Sequence, residues 1–378
     1  MGRGGGRSAM RNMRIVQTPV RFWPAYGGVE KYVLELSKHL VAQGNDVTVV
    51  CADEPHVGSC VVQGVKTLRL PYRAKIANTN ITPGLFRTLM RSDFDVIHTH
   101  IPTPWSADVS ALVSLMKRKP LVVTYHNDLS GQGIDNLIAS AYNATFLHLV
   151  LWRAKSVIIT QPRYIDHSRH LKFHRRKVVT IPLGVSEPLS ISQGSRKPDQ
   201  IFFMSVLDKH HEYKGLDVLL RSMVAIRNKR REARLLVGGD GELIKKYLGV
   251  ARELGISDSV EFLGYVPDKE LAELYSSSAL FVLPSVNKME GFGIVALEAL
   301  SYATPVITTE FAGSSEFIKS NRAGLVVPSR DSDALAKAIL TVLEDDSGSR
   351  SMGVRGAEAV NREFGWDKIA RQMTGVYL

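Results

Sequence analysis

The sequence has little of what defines several large protein classes. Only two of its 378 residues are cysteines, Cys51 and Cys60, and neither belongs to a Cys/His group with zinc spacing. This argues against a structural metal and favours a reducing, cytoplasmic setting.

No apolar run reaches the length of about 18 residues that a transmembrane helix needs, since His148 interrupts the most apolar stretch, residues 146–152. Residues 1–13 lack the apolar core of a signal peptide and are expected to form a flexible tail.

Acidic residues are also scarce relative to basic ones. The chain has 37 Asp and Glu against 48 Lys and Arg, a formal net charge of +11. Such a surplus attracts phosphorylated ligands, nucleic acid or an anionic membrane face. The most basic run, residues 163–177, has only Tyr164 and Phe173 as interleaved aromatics and belongs to no nucleic-acid-binding motif. Nucleic acid is therefore not expected as a partner.

Two series of short apolar runs alternate with helical patterns such as those at residues 31–41 and 106–116. The first series is 15–18, 47–52, 96–99, 121–125 and 157–160, and the second is 201–206, 234–237, 260–263, 280–283, 305–308 and 325–327. This alternation predicts an α/β protein with two Rossmann-like, doubly wound parallel sheets. Ligands of such sheets bind outside the carboxyl ends of the strands, so we expect a substrate in a central cleft between the two domains.

The segment 181–198, rich in Pro, Gly and Ser, is typical of an interdomain linker. We place the boundary near residue 190, which gives an N-terminal domain at 14–190 and a C-terminal domain at 191–362. The last segment, 363–378, has helical apolar spacing and is expected to cross back to the first domain.

The segment 290–298 carries two carboxylates, Glu290 and Glu298, with Gly291 and Gly293 between them at the start of an apolar helix. Glycines allow close approach of the backbone, and the first amides of a helix bind anions or hydroxyls. Each carboxylate accepts hydrogen bonds from a pair of hydroxyls, as in a hexose or a ribose. The alternative is that Glu290 only caps the helix and Glu298 is solvated.

Residues of the first series are candidates for the other half of the site. Gly28 opens the first helix directly after the first strand, although a glycine there also suits a turn that only packs. His126 ends a strand, where it can contact a sugar hydroxyl or lie near developing positive charge, or serve as a satisfied core histidine. His98 and His100 share one face of a strand, and a structural or loop-positioning role fits them better than zinc binding.

Basic residues follow the first strand of the second series. Lys214 precedes an apolar helix and can neutralise a diphosphate, or be a solvated lysine at a helix start. Lys209 and His210 make a small basic cluster nearby. Tyr265 and Val266 follow a later strand of the same series, where main-chain contacts can hold a nucleotide base.

Taken in order, these segments resemble the retaining GT-B glycosyltransferases of family 4, also called the group 1 glycosyltransferases. The resemblance covers residues 14–378. It rests on Gly-Gly-Val-Glu at 27–30, Asp-Val-Ile-His-Thr-His at 95–100, Thr-Tyr-His at 124–126, Tyr-Lys-Gly at 213–215, Gly-Gly-Asp-Gly at 238–241, Gly-Tyr-Val-Pro at 264–267, the segment 290–298 and Gly-Ser-Ser-Glu at 313–316.

The resemblance implies that the second domain binds the nucleotide sugar. Glu298 would hold the ribose. Glu290 and the amides of Phe292 and Gly293, at the start of the helix that continues with Ile294, would hold the donor hexose.

By the same resemblance, Lys214 would face the diphosphate and act in catalysis with Glu290 and His126. Gly28 would close over the diphosphate, and His126 would contact the transferred sugar.

One position departs from the family pattern. An arginine that clamps the phosphates usually precedes the Lys-Gly pair, but Val206 stands there. Lys209 or His210 is the candidate replacement for this second cation.

The function implied is a retaining glycosyltransferase that moves a hexose from a UDP- or GDP-linked sugar and needs no metal or cofactor. The acceptor would be lipid-linked or a small molecule. A membrane surface is one hypothesis, motivated by the basic and aromatic residues Arg21, Trp23, Tyr72, Arg73, Lys75, Arg87 and Arg91. A soluble acceptor is the other. A non-catalytic nucleotide-sugar binding protein and a nucleotide-sugar epimerase are alternatives with the same architecture.

Overall fold

The computed structural model describes residues 12–25, 27–76, 79–129, 134–162, 164–185, 196–287 and 289–378, with only the backbone at 134–136 and 166–167. The chain divides into two compact units. Unit 1 is the chain up to Gly184 together with Trp366–Leu378, and unit 2 is Val185–Gly365. The linker boundary expected near residue 190 and residues 1–11 of the tail expected at 1–13 lie outside the described residues. Met13, which was also expected in the tail, is instead buried in the core of unit 1.

Unit 1 contains an eight-stranded sheet and a separate two-stranded hairpin, β5–β6. The strands are β1 (Arg14–Thr18), β2 (Asp46–Ala52), β3 (Cys60–Val62), β4 (Val65–Leu70), β5 (Ala74–Ile76), β6 (Thr79–Ile81), β7 (Val96–Ile101), β8 (Leu121–Tyr125), β9 (Ser156–Ile159) and β10 (Val178–Thr180). The sheet order is β10-β9-β8-β7-β1-β2-β4-β3, and only the β3–β4 pair is antiparallel. The order reverses between β1 and β7, where an open α/β sheet usually binds its ligand.

Helices cover both faces of this sheet. They are α1 (Gly28–Ala42), α2 (Gly84–Arg91), α3 (Pro104–Met116), α4 (Ile134–Ala144), α5 (Phe146–Arg153), α6 (Tyr164–His167) and α7 (Arg169–Phe173), and the chain returns with α15 (Trp366–Tyr377). Helix α1 packs on one face because its apolar residues, such as Val33, Leu36 and Leu40, recur at helical spacing. Helices α2, α3 and α5 form the core on the other face.

Helix α15 completes the core of unit 1 beside α1. Its residues Ile369 and Met373 are fully buried, and the Trp366 ring lies 5.6 Å from the ring of Tyr32. The backbone at Gly184 runs so close to Trp366 that an added Cβ would lie 2.2 Å from the indole. A helix that is distant in sequence is therefore part of the hydrophobic core of unit 1.

Unit 2 is a six-stranded, fully parallel sheet. Its strands are β11 (Lys197–Met204), β12 (Arg234–Gly238), β13 (Val260–Gly264), β14 (Ser278–Leu283), β15 (Val306–Thr309) and β16 (Gly324–Val327), in the order β13-β12-β11-β14-β15-β16. The order reverses between β11 and β14. Its helices are α8 (Leu216–Lys229), α9 (Ile244–Glu253), α10 (Asp268–Ser277), α11 (Ile294–Ser301), α12 (Ser315–Ser320), α13 (Ser332–Glu344) and α14 (Asp346–Phe364).

The predicted fold class is confirmed, since both series of strands form parallel sheets between layers of helices. The two helices predicted at 31–41 and 106–116 are present and somewhat longer, as α1 and α3. Sequence reasoning missed β3 to β6 and β10. Strands β3, β5, β6 and β10 have only three residues each, and β4 alternates buried and exposed residues, so none of them is a long apolar run.

Two buried histidines lie on β7 in the core of unit 1. The His98 Nε2 atom is 2.7 Å from Thr124 Oγ1, and its Nδ1 atom is 2.7 Å from the hydroxyl of Tyr377 on α15. Burial lowers the pKa of His98 to about 3, with a smaller contribution from the charge of His126. The pKa of His100 also lies well below its ordinary value because of burial. Both rings are therefore neutral in the folded protein near pH 7.

We predict that acid destabilises unit 1 through these histidines. The unfolded chain gains a proton at each as pH falls below about 6.5, whereas folded His98 does not until about pH 3, so stability is lost between these values. For His98 the loss should reach about 2 kcal/mol at pH 5, and His100 should add to it in the same direction. Unfolding should be followed by urea titration at pH 7 and pH 5. His98→Gln should reduce the difference between the two pH values, while the exposed His56→Gln should not. Equal pH dependence in the parent and His98→Gln would contradict this account.

Candidate functional site

The loops at the carboxyl edge of the unit 2 sheet touch each other through glycines. Gly215, at φ 76°, follows β11, and an added Cβ would lie 2.1 Å from the carbonyl oxygen of Pro284 after β14. Gly239, at φ 117°, follows β12, and its Cβ would lie 1.7 Å from the carbonyl oxygen of Ser205. Any other residue would clash at either position, so glycine is required for the loops of three neighbouring strands to meet.

Two predicted site residues meet at this edge. The Lys214 Nζ atom donates to Glu290 Oε1 at 2.8 Å, and Ser285 Oγ donates to Glu290 Oε2 at 2.5 Å. The side chains of Lys214 and Glu290 are only 15% and 2% exposed. This charge-assisted hydrogen bond between a partly buried ammonium and a buried carboxylate holds both side chains in one arrangement. Sequence reasoning missed Ser285, although a polar residue directly after an apolar strand marks this edge of the sheet.

The loop that follows Glu290 is held by the backbone of the next loop. Gly313 N donates to Gly291 O at 2.8 Å, and Ser314 N donates to Phe292 O at 3.0 Å. Gly293 is the left-handed residue that precedes α11, with φ 73°. The N-terminus of α11 consequently lies at the same edge as Glu290, with its first amides available for an anion or for hydroxyls.

Glu298 lies on α11 and contacts a buried phenol. The Tyr275 hydroxyl donates to Glu298 Oε2 at 3.3 Å. Burial raises the pKa of Tyr275 well above its usual value, and the charge of Glu298 adds to the shift, so the phenol keeps its proton and acts as a donor. Tyr275 thereby orients the carboxylate. Nothing local in the sequence pointed to it, because it lies on α10.

The structure places the expected replacements for the missing arginine on the surface. Val206 is 51% exposed directly after β11. Lys209 and His210 are both exposed, and among the described residues neither forms an ion pair. The histidine that has a carboxylate partner is His211, whose Nδ1 atom is 2.7 Å from Asp208 Oδ1. No fixed second cation is therefore present next to Val206 among these residues.

Tyr265 and Val266 differ in their accessibility. The Tyr265 side chain is exposed, whereas Val266 is buried, and its Cγ2 atom lies near Gly238 in the interior. The loop is tied to the neighbouring one by a hydrogen bond from Gly239 N to Gly264 O at 2.8 Å. The side chain of Val266 is therefore not available to a ligand, while Tyr265 can offer its ring.

In unit 1, His126 follows β8 and its backbone N–H donates to Ile101 O at 2.9 Å. Its ring lies 5.1 Å from Tyr32 and stacks at 5.6 Å on His100. Burial lowers the pKa of His126 to about 4, so the ring is neutral near pH 7. A neutral ring can accept one hydrogen bond and donate another.

A chain of hydrogen bonds determines which nitrogen of His126 carries the proton. Gln17 Nε2 donates to Ser37 Oγ at 2.8 Å, which turns Gln17 Oε1 toward His100 Nε2 at 3.2 Å. His100 must donate from Nε2, so its Nδ1 atom accepts from His126 Nε2 at 3.4 Å. The Nδ1 atom of His126 is consequently the unprotonated nitrogen and presents a lone pair.

The two glycines at the start of α1 have different surroundings. An added Cβ at Gly27 would lie 2.2 Å from Glu30 Oε2, whereas a Cβ at Gly28 would meet no atom within 4 Å. The space in front of Gly28 is therefore open.

Across the described ranges, no group of three or more His, Cys, Asp or Glu side chains is arranged to hold a metal ion. In the same ranges, no helix has the length and apolar character to cross a membrane.

Two family descriptions match adjoining parts of the sequence. Residues 26–187 match "Glycosyltransferase Family 4", and residues 189–359 match "Glycosyl transferases group 1". Together they span most of both units.

Individual relatives extend over almost the whole chain. A phosphatidyl-myo-inositol mannosyltransferase from Mycobacterium leprae is 28% identical over 366 residues, covering 93% of this chain and 92% of the relative. The D-rhamnosyltransferase WbpZ from Pseudomonas aeruginosa is 28% identical and covers 89% of this chain and 88% of its own length.

Solved structures share the fold. The crystal structure of Anabaena Alr3699/HepE in complex with UDP aligns with a TM-score of 0.70 at 17% identity, covering 96% of this chain and 99% of that one. Each unit is an α/β domain built on a parallel sheet, and the family descriptions match both. The chain therefore belongs to the group 1 glycosyltransferases of family 4 and has the GT-B fold.

Proposed function

We propose that the protein transfers a hexose from a UDP- or GDP-linked sugar to a lipid-linked or small-molecule acceptor, with retention of anomeric configuration and without a metal. The observation that carries this proposal is the ion pair between the partly buried Lys214 and the buried Glu290, next to the N-terminus of α11. A cation, a carboxylate and outward-facing helix amides are the groups that a sugar diphosphate requires. The relatives that transfer mannose and rhamnose, and the UDP complex of a structural neighbour, support the same class of donor.

On the donor side, each acidic residue has a separate part. Glu290 keeps acceptor capacity beyond its bonds to Lys214 and Ser285, because a carboxylate has about four lone-pair sites. It would accept from hydroxyls of the hexose. Glu298, oriented by Tyr275, would accept from the ribose.

In the transfer step, the bond from the anomeric carbon to the phosphate oxygen breaks as the acceptor hydroxyl bonds to the same face of that carbon. The acceptor proton goes to a leaving phosphate oxygen, which yields the glycoside and a nucleoside diphosphate. Lys214 and the α11 amides would stabilise the charge that builds up on the diphosphate. The Nδ1 lone pair of His126 would accept a hydrogen bond from a hydroxyl of the hexose.

The acceptor is proposed from the relatives. The mannosyltransferase from Mycobacterium leprae is named for phosphatidyl-myo-inositol, a lipid, and this supports a lipid-linked acceptor here. A second candidate, a nucleotide-sugar binding protein without catalysis, is favoured by one observation: Val206 is an exposed apolar residue where the family pattern has an arginine.

Donor binding and turnover separate these two functions. UDP, GDP and their hexose conjugates should be screened by thermal shift, because a ligand of the native state raises its stability. The best donor should then support transfer or slow hydrolysis in excess EDTA. Binding without any turnover would favour the non-catalytic protein. Turnover that EDTA abolishes and a divalent cation restores would contradict the metal-free mechanism.

The two glutamates should give different kinetic results. Glu290→Gln retains an acceptor for Lys214 but removes the charge, and should lower kcat by about 100-fold or more. Glu298→Ala should instead weaken nucleotide binding by about 1.5 to 3 kcal/mol, the range for hydrogen bonds to charged groups. Steady-state kinetics and calorimetric titration of the nucleoside diphosphate would measure both. Identical losses of kcat in the two variants would contradict the separate roles proposed for Glu290 and Glu298.

The second cation can be identified by substitution. If Lys209 or His210 replaces the usual arginine, its alanine variant should bind the nucleoside diphosphate about 1.5 to 3 kcal/mol more weakly, with little change for the nucleoside. Val206→Arg is the matched gain-of-charge variant and should strengthen diphosphate binding. If both alanine variants bind as tightly as the parent, neither residue acts as the clamp.

A further inference from the structure

Helix α5 of unit 1 exposes an apolar stripe that the proposed catalytic chemistry does not use. Phe146, Leu149 and Trp152 recur every three residues along one side of the helix and are 56%, 61% and 66% exposed. The opposite side, with Leu147 and Val150, is fully buried in the core. The helix is therefore apolar on both sides, and the apolar residues of its outer side remain more than half exposed.

The neighbouring helices α4 and α7 carry further exposed apolar side chains. Leu137 and Ile138 of α4 and Phe173 of α7 are exposed by 53% or more. The Tyr142 ring of α4 stacks on Phe146 at 6.2 Å, and Phe173 meets the His148 ring of α5 at 5.7 Å. We call the six residues Leu137, Ile138, Phe146, Leu149, Trp152 and Phe173 the apolar face.

A chain of three histidines holds α7 against α5. The two ring nitrogens of His148 on α5 each lie 3.1 Å from a nitrogen of His170 or His174. These contacts keep Phe173 beside the α5 stripe, so the apolar face is a defined feature of the fold.

Exposed cations adjoin the apolar face. Arg169, Lys172, Arg175 and Arg176 are all exposed, and the Lys177 ammonium donates to the carbonyl oxygens of Leu151, at 3.3 Å, and of Trp152. Between residues 137 and 180 the sequence contains a single acidic residue, Asp166. Large apolar and aromatic side chains beside clustered cations are the combination that binds the interface of an anionic membrane.

We propose that the apolar face and its cations dock unit 1 onto an anionic lipid bilayer. A second copy of the chain fits less well, because a two-fold contact through this face would bring like charges together. The membrane surface hypothesised around Arg21 and Lys75 is less suited, since Arg21 pairs with Glu30 and Lys75 with Glu54. Docking would bring the enzyme to a lipid-linked acceptor, and this purpose rests on the proposed function. Binding to the bilayer itself requires neither donor nor acceptor.

Flotation of the full-length protein with vesicles tests the proposal without any sugar transfer. The parent should float with vesicles of phosphatidylglycerol and phosphatidylcholine, less at high salt, and not with phosphatidylcholine alone. Phe146→Ser with Trp152→Ser should reduce the partition coefficient by about tenfold or more. Arg175→Glu with Arg176→Glu should reduce it by about fivefold for each cation lost, or more.

Matched controls lie elsewhere on the surface. Val61→Ser and Val354→Ser remove exposed apolar side chains, and Arg231→Glu reverses an exposed charge in unit 2. All three should float like the parent, and an unchanged thermal unfolding midpoint would show that each variant folds.

Several results would overturn the proposal. They are a parent that does not float, an apolar-face variant that floats as well as the parent, and controls that lose as much binding. A parent that is dimeric by light scattering and becomes monomeric in Phe146→Ser with Trp152→Ser, without vesicle binding, would identify a self-association surface instead. A chain that floats but transfers no sugar would contradict only the proposed function, whereas transfer to a soluble acceptor without flotation would contradict only the docking.

Discussion

The candidate donor site depends on backbone contacts that only glycine permits. Gly215 packs against the carbonyl of Pro284. Lys214 directly precedes Gly215 in the sequence, and Ser285 directly follows Pro284. A side chain at Gly215 would separate these two loops and move the ammonium and the hydroxyl away from Glu290. The hydrogen bonds of that carboxylate therefore follow from the packing of the main chain beneath it. In a close-packed interior, even a single added methyl group displaces the atoms around it.

The two units present different electrostatic environments. In unit 2, the partly buried ammonium of Lys214 faces the buried carboxylate of Glu290, and removing one would leave the other charged without its partner. In unit 1, burial keeps the rings of His98, His100 and His126 neutral. The amide of Gln17 orders the protons of His100 and His126, so each of these two rings has one fixed donor nitrogen and one fixed acceptor nitrogen. The histidines can therefore position a neutral hydroxyl, and the charged pair suits a diphosphate.

Local patterns in the sequence predicted most of the fold. A buried parallel strand is a continuous apolar run, so the main strands of both sheets could be recognised one at a time. The partners of the site residues could not, because Lys214 and Glu290 are 76 positions apart and Tyr377 and His98 are 279 apart. Apolar spacing reports which face of an element is buried, but not what lies against it. The apolar face could not be predicted for the same reason. Trp152 is exposed and Leu151 is buried, yet both are large apolar residues in one apolar run.

The position of α15 determines when unit 1 can finish folding. Its residues Ile369, Met373 and Tyr377 lie in the same core as α1, yet the ribosome makes them only after all of unit 2. A nascent chain that has completed every strand of the first sheet still lacks part of that core, because Tyr32 has no contact with Trp366 and His98 has no hydrogen bond with Tyr377. At about 5 to 20 residues per second, the roughly 180 residues of unit 2 would take about 10 to 40 s to synthesise. Unit 2 is continuous in sequence, so it can finish folding before unit 1, although most of unit 1 is synthesised first.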